Sequence, residues 1–381
     1  MNRRKLLIVW VHYPAVGHLV EAFEAAANYY SANKNLEIHV LVNSKVPHYI
    51  GNYCSMIHKM YAVDVKNNLK ESDLGTLSKM TFEYVVFPKS YKITPSDFTS
   101  DILESNNFLI NYFKPTIWLG YSGIKDSNKN ALNEIDYSPF KLIVPENKID
   151  FKIKKNKGPI FALILKGSSN LSVWPSFNSW KLTCKAIKIK YPHAHFLITG
   201  ISKAHLSVNE NVIHKKIKID KFINSIPGAI NCYDIGLDNQ LGIIKDADIL
   251  LSPHTGFAFL GPCLGTPWLA LSGGEWGEQM HAQKSFYNVL PSCKKYPCNR
   301  GNRKLECNLR IKYNFPIKCM SKLSSKIPDL LIGVEKLLNE NYSFSDAFND
   351  YQNSAIRNNV NLKRLWRIAA YKQHITDTKG L

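Results

Sequence analysis

The sequence predicts an α/β protein made of two Rossmann-like domains facing each other across a cleft. Three observations predict it. Short apolar runs that fit buried parallel strands alternate with helix-period stretches from Lys5 to Leu338. A polar, basic stretch from Ile143 to Pro159 interrupts that alternation once, near the middle. The length, 381 residues, suits two cores better than one. The expected divisions are residues 1–150, residues 158–342, and a helical segment, 343–381, that packs back across both domains.

The elements follow in order. Lys5 to Val11 is a near-continuous apolar run and reads as a central parallel strand. The turn His12-Tyr-Pro-Ala-Val-Gly-His18 follows, then Leu19 to Tyr30 with helical spacing and many alanines. Leu36 to Val42 is a strand, Gly51 to Met60 is expected as a helix, and Met60 to Val63 as a short strand. Lys66 to Ser78 is polar and fits either loop or helix. Phe82 to Phe87 is a strand, Asp101 to Tyr112 a helix, and Ile117 to Tyr121 a strand. Past the linker, Ile160 to Leu165 starts a second sheet, followed by helix Phe177 to Lys190 and strand His195 to Thr199. Val212 to Ile226 holds a strand or helix, Asn231 to Asp234 a short strand, and Leu237 to Lys245 a helix. The region after Gly274 reads as loop-rich, Ser324 to Leu338 as a helix, and Phe344 to Tyr371 as mostly helical.

One stretch organises the second half. Ala247 to Leu251 is a short buried strand, Ser252 to Gly256 breaks it, and Phe257 to Leu264 supplies an apolar helix. Gly265-Thr-Pro267 ends that helix, and Trp268 to Leu271 is the next strand. Ser252 or Thr255 can cap the helix. The turn sits at the carboxyl end of its strand, where open α/β sheets bind ligands, and a helix start offers N–H groups to an anion. Two readings stand: a nucleotide diphosphate site, or an ordinary turn between strand and helix.

Composition narrows the partner. The 49 Lys and Arg against 30 Asp and Glu give a formal charge of +19, which points to an anionic partner. The basic residues are scattered, with no run of the kind that marks a nucleic-acid tail, so nucleic acid is not expected. No stretch reaches the roughly 18 apolar residues of a membrane-spanning helix. The run after Arg3-Arg4-Lys5 is too short for a signal peptide. Eight cysteines are too few for a disulfide scaffold. A cytoplasmic protein is expected, with peripheral contact at the inner membrane face compatible with its charge.

Four features together resemble the GT-B glycosyltransferases, and within them the heptosyltransferase family of lipopolysaccharide assembly. Ala15-Val-Gly-His-Leu19 stands where that family has a Leu-Gly-Asp motif. Lys166-Gly-Ser-Ser-Asn-Leu-Ser-Val-Trp-Pro175 stands where it has a Gly-rich loop ending in Lys-Arg-Trp-Pro. His254-Thr-Gly-Phe-Ala-Phe259 stands where it has Asp-Thr-Gly with a histidine three residues on. Cys293, Cys298, Cys307 and Cys319 resemble a cysteine-rich segment of several members. The chain departs from the family at His18, at Ser172-Val173, at His254 and at Phe259. The donor sugar therefore need not be a heptose.

The resemblance implies a nucleotide diphosphate sugar as donor, no cofactor, and an acceptor hydroxyl on a glycan, glycolipid or small metabolite. A base must take the hydroxyl proton, and positive charge must meet the departing diphosphate. His18, beside Gly17 after the first strand, is the candidate base, because imidazole titrates near neutral pH. His12, at the end of the same strand, is its rival. Lys166, with Ser168 and Ser169, and His254, Thr255 and Gly256 are the candidates for diphosphate binding. Glu275 and Glu278, after the strand that follows, are the candidates for accepting sugar hydroxyls. No Asp-x-Asp metal motif stands at a strand end, and charge stabilisation of this kind can replace a metal. Asp246-Ala-Asp248 lies at a strand start and is expected to face solvent. The four late cysteines, separated by four, eight and eleven residues, fit free thiols, a bridge or zinc. Two further readings remain open: a sugar-nucleotide epimerase of the same fold, and a non-catalytic anion-binding protein.

Overall fold

A computed structural model of the protein describes residues 4–11, 16–66, 68–88, 100–119, 139–146, 149, 158–166, 175–201, 216–253, 255–272, 281–291 and 323–359. The chain divides into two compact units, the change falling between Ile143 and Val144.

The first unit is a five-stranded parallel sheet. Its strands are β1 (Arg4–Trp10), β2 (Leu36–Asn43), β3 (Lys59–Val63), β4 (Tyr84–Pro88) and β5 (Ile117–Leu119), in the order β3-β2-β1-β4-β5. β1 pairs along its whole length with β2, and on its other side with β4. Leu6 to Val9 are fully buried, which is why this strand reads as an unbroken apolar run. Helix α1 (Gly17–Ala32) packs on β1 and β2, and its buried face is rich in alanines, Ala22, Ala25, Ala26 and Ala27, which let the helix lie close. Leu7, Val9, Leu41 and Phe87 form a core with Leu109 of helix α2 (Ser100–Phe113). Phe140 packs edge-on against Phe23 of α1, and the Ile143 N–H donates to the Tyr53 carbonyl at 2.7 Å.

The helix expected over Gly51 to Met60 does not form. His48–Tyr53 is a short 3₁₀ segment, and the chain then turns directly into β3. The His58 N–H already donates to the Ile38 carbonyl at 2.7 Å, so pairing with β2 captures the apolar residues that suggested a helix. The return is tight: a Cβ on Gly51 would lie 2.8 Å from Met60 Cβ.

The second unit is a six-stranded parallel sheet in the order β11-β10-β9-β6-β7-β8. Its strands are β6 (Ile160–Ile164), β7 (His195–Gly200), β8 (Ala229–Tyr233), β9 (Ile249–Pro253), β10 (Trp268–Leu271) and β11 (Phe286–Val289). Its helices are α3 (Phe177–Lys190), α4 (Lys216–Ile223), α5 (Leu237–Asp246), the short α6 (Leu260–Cys263), α7 (Ile327–Leu338) and α8 (Phe344–Arg357). The order runs outward from β6 in one direction through β7 and β8, and in the other through β9, β10 and β11. That reversal is the switch point of a doubly wound sheet.

β11 is a strand that the loop-rich reading after Gly274 missed. Four residues with a polar Asn288 among them are too short to show a period. Pairing with β10 and packing by α7 and α8 hold it. The described part of the C-terminal segment, α8, lies on this unit's own sheet, with Phe344 and Tyr351 each 6.0 Å from the Phe286 ring. Residues 360–381 fall outside the described residues.

Asp248 is exposed, as its position at a strand start suggests. Its carboxylate also accepts the Ile160 N–H at 2.7 Å, which ties the amino ends of β9 and β6. Cys54, Cys184, Cys232 and Cys263 are buried and form no disulfide. The four late cysteines lie outside the described residues. Among the described residues, no helix is long and apolar enough to cross a membrane.

Candidate functional site

Each sheet places one part of the predicted chemistry at its carboxyl edge. In the first unit the switch point lies at β1, whose neighbours β2 and β4 lead away in opposite directions. The chain leaves β1 and enters α1 at Gly17, so His18 is the second residue of that helix. The N-cap is Val16, which makes no side-chain cap. The Nδ1 of His18 lies 2.9 Å from the Glu21 carboxylate, one turn further on. The His18 side chain is 24% exposed and that of Glu21 14%, so the pair is sheltered but reachable. Asn43, buried at the end of β2, donates its Nδ2 to the Val11 carbonyl and so anchors the start of the loop that leads to His18.

In the second unit, β6 and β9 are paired neighbours on either side of the switch point, with Leu163 opposite Leu251. Lys166 follows β6 and Thr255-Gly256 follows β9, so both lie at the same crevice edge. Lys166 is half-buried, and loss of water around its ammonium pushes its pKa down to about 8. The backbone before it is pinned: the fully buried Trp180 of α3 donates its indole N–H to the Leu165 carbonyl at 3.1 Å.

Thr255 is buried and occupies the N-cap of the 3₁₀ turn Gly256–Phe259 that leads into α6. Its hydroxyl makes no capping hydrogen bond, so the cap expected of Thr255 is not made. Ser252, the other candidate cap, lies inside β9, where it accepts the Trp268 indole N–H at 2.8 Å and donates to the Pro253 carbonyl. Phe259 packs edge-on against Trp268, 5.4 Å between ring centroids. Gly261 lets α6 lie directly on β9: a Cβ there would come within 2.4 Å of Leu250 Cδ2.

The described residues thus bring Lys166, Thr255 and Gly256 to one crevice edge of the second sheet, and His18 to the matching edge of the first. His12, Ser168, Ser169, His254, Glu275 and Glu278 lie outside the described residues. Sequence reasoning missed Glu21, Trp180 and Asn43. Glu21 was open to discovery, since a carboxylate three residues after a helical histidine shares its face. The other two act through contacts of long sequence separation, with no local signal.

No protein-family model matches the sequence, and no curated protein matches it in sequence. Solved structures do match in shape. A glycosyl transferase family 9 protein from Veillonella parvula superposes with a TM-score of 0.57 and 11% identity, over 90% of this chain and 99% of that one. The E. coli ADP-heptose LPS heptosyltransferase II superposes with a TM-score of 0.52 and 9% identity, over 87% and 99%. A UDP-GlcNAc 2-epimerase from Neisseria meningitidis, at a TM-score of 0.40 and 13% identity over 93% and 100%, is too distant to argue from. The chain has the GT-B fold of two Rossmann-like domains, and in that fold it is similar to family 9 glycosyltransferases and heptosyltransferases.

Proposed function

We propose that the protein is a metal-independent, inverting glycosyltransferase that moves a sugar from a nucleotide diphosphate donor to an acceptor hydroxyl. The observation that carries this reading is that Lys166 and Thr255-Gly256 follow two adjacent, paired central strands of the second sheet. A half-buried ammonium and a helix start without a side-chain cap form a site for the two phosphates of a leaving group. The two superposed glycosyltransferases, one named for ADP-heptose, support a donor of this class.

In this reading the acceptor oxygen attacks the anomeric carbon from the face opposite the diphosphate. The new C–O bond forms as the bond to the phosphate oxygen breaks. His18 takes the acceptor proton, and Glu21 stabilises the resulting imidazolium as the orienting carboxylate does in a catalytic triad. The charge that develops on the diphosphate is met by Lys166, the Thr255 hydroxyl and the N–H groups at the start of the 3₁₀ turn. His254, Ser168 and Ser169 belong to the same phosphate site in this proposal, Glu275 and Glu278 to the sugar, and His12 is the alternative base. The acceptor is a glycan, a glycolipid or a small metabolite. A glycolipid acceptor would place the basic protein at an anionic membrane surface.

The test is a thermal-shift panel of nucleoside diphosphates, followed by product analysis of the corresponding sugar nucleotides with and without acceptors. Saturable stabilisation by one nucleoside diphosphate, and its release from the sugar nucleotide only when acceptor is present, support the transferase. Conversion of the sugar without acceptor would make the protein an epimerase. Binding of anions without turnover of any sugar nucleotide would make it a binding protein.

A further inference from the structure

The amino half of the first sheet carries a cluster that the transfer reaction does not use. Glu37 and His39 are two residues apart on β2, so their side chains stand on one face. In register, His39 lies opposite Lys59 of β3, and the His58 N–H donates to the Ile38 carbonyl at 2.7 Å, which brings His58 alongside. One ligand atom from each of Glu37, His39 and His58 lies within 4.8 Å of the other two. His39 Nε2 is 2.9 Å and His58 Nε2 is 3.8 Å from Glu37 Oε1. Two ligands bound tetrahedrally to zinc at about 2.0–2.1 Å sit about 3.3 Å apart, so these separations straddle the value an ion needs.

The surroundings of His39 are compatible with its metal-binding tautomer. His39 is 1% exposed, with the Phe82 ring edge-on at 5.4 Å. Its Nδ1 lies 3.2 Å from the Tyr61 hydroxyl, which also lies 3.4 Å from Met80 Sδ, so the single hydroxyl proton has two acceptors to choose from. With that proton on Met80, the Tyr61 oxygen accepts from Nδ1–H and the neutral ring turns the lone pair of Nε2 toward a carboxylate oxygen 2.9 Å away. That tautomer can hold a cation between the two atoms, while the other closes the pair as an N–H···O hydrogen bond.

We propose that Glu37, His39 and His58 bind one divalent transition-metal ion of the zinc class, which ties β3 to β2 at the amino half of the first sheet. Two imidazoles and one carboxylate suit zinc and its neighbours rather than magnesium or calcium. With an ion bound, the 3.2 Å contact of Nδ1 with Tyr61 serves as the outer hydrogen bond that fixes a metal-binding imidazole in its tautomer. Three protein ligands leave a fourth position for water. His58 is 53% exposed, so an ion can reach the site from solvent. Lys5, opposite Glu37 in register, places a positive charge nearby and makes the site weaker than a purely anionic one.

The experiment uses the full chain, stripped of metal with a chelator and titrated with zinc chloride, with cobalt as a spectroscopic stand-in. Cobalt bound by nitrogen and oxygen gives only weak visible bands. Binding by the late cysteines, the competing source, would add the intense near-ultraviolet band of thiolate ligands. The expected result is one cobalt ion per chain without that band. Glu37→Gln and His58→Ala should each weaken zinc affinity at least about 10-fold, the least that loss of even an outer partner costs such a site. His48→Ala, at an exposed histidine outside the cluster, should leave it unchanged. Both test positions reach solvent, so the variants should stay folded, which circular dichroism checks. No zinc bound at this cluster, or the same affinity in both variants, would overturn the proposal. The protons would then run from Tyr61 to Nδ1 and from Nε2 to Glu37, with no metal needed.

Discussion

His18 Nδ1 and Glu21 Oε2 lie 2.9 Å apart on the first turn of α1, the arrangement that the proposed role of His18 as base calls for. If His18 takes the acceptor proton, His18→Ala lowers turnover by about 10²-fold or more. Donor affinity should change little, because the proposed phosphate residues belong to the other unit. Glu21→Gln keeps a hydrogen-bonding partner but removes the charge that stabilises the imidazolium. Turnover should fall by about 10-fold with the donor KM unchanged. Steady-state kinetics of both variants check this. Near-normal turnover in His18→Ala would move the role to His12, and near-normal turnover in Glu21→Gln would leave that carboxylate as a helix-face ion pair only.

If Lys166 meets the diphosphate as proposed, the donor site has a pH dependence. Burial lowers its pKa to about 8, so it is charged at neutral pH and neutral above that value. Affinity for a nucleoside diphosphate should therefore fall as pH rises through about 8. Lys166→Met should remove that dependence and weaken binding at pH 7 by about 10-fold or more, the scale of a charge-assisted hydrogen bond. In the free protein the sign reverses. Between about pH 8 and the ordinary value of 10.5, the unfolded chain holds a proton at this lysine that the folded protein lacks. Its contribution to stability therefore rises with pH across that window. Calorimetric titration with a nucleoside diphosphate at several pH values tests the first statement, urea denaturation over the same range tests the second, and a flat binding profile in the unaltered protein would remove Lys166 from the phosphates.

The sheets were legible where strands are central. Lys5 to Val11, Ile160 to Leu165 and Trp268 to Leu271 are apolar almost throughout because helices cover both faces, and composition alone then marks them. Gly51 to Met60 misled because its apolar residues fit a helical spacing as well as a tight turn into an edge strand, and the deciding bond, His58 to Ile38, crosses strands. β11 was hidden because it is four residues long. At the site, position was legible and support was not. Strand ends pointed to His18, Lys166 and Thr255, but a buried Trp180 under the Leu165 carbonyl leaves no trace in a local window. The Glu37, His39 and His58 cluster was missed for the same reason, since the third member is brought in by strand pairing.

That Trp180 contact is a prediction in its own right. Trp180→Phe keeps most of the ring volume but withdraws the donor, leaving the buried Leu165 carbonyl one bond short. Stability should fall by about 1–3 kcal/mol, the cost of an unmet buried polar group. Lys166 loses the anchor of its backbone, so the donor KM should rise while turnover at saturation changes little. Urea denaturation and kinetics together check it. Lost stability with an unchanged KM would show that Trp180 holds the core and not the lysine.

The approach of α6 to β9 rests on Gly261 and Leu250. A methyl group at Gly261 would meet Leu250 Cδ2 at 2.4 Å, well inside contact distance, and Leu250 is fully buried, so its side chain would have to shift within the core. Gly261→Ala should therefore cost about 1–3 kcal/mol through overpacking. Leu250→Ala should cost about 2–5 kcal/mol through the cavity it leaves. The two changes are complementary in volume, so the double variant should be more stable than the sum of the single losses predicts. The expected coupling is about 0.5–3 kcal/mol, read from urea midpoints of all four proteins. Because α6 continues directly from the Thr255-Gly256 turn, Gly261→Ala alone should also weaken nucleoside diphosphate binding, and the double variant should recover part of it. Additive losses would mean that α6 lifts away from β9 freely. The turn would then owe its position to something other than this contact, and the phosphate site would have to tolerate a helix that moves.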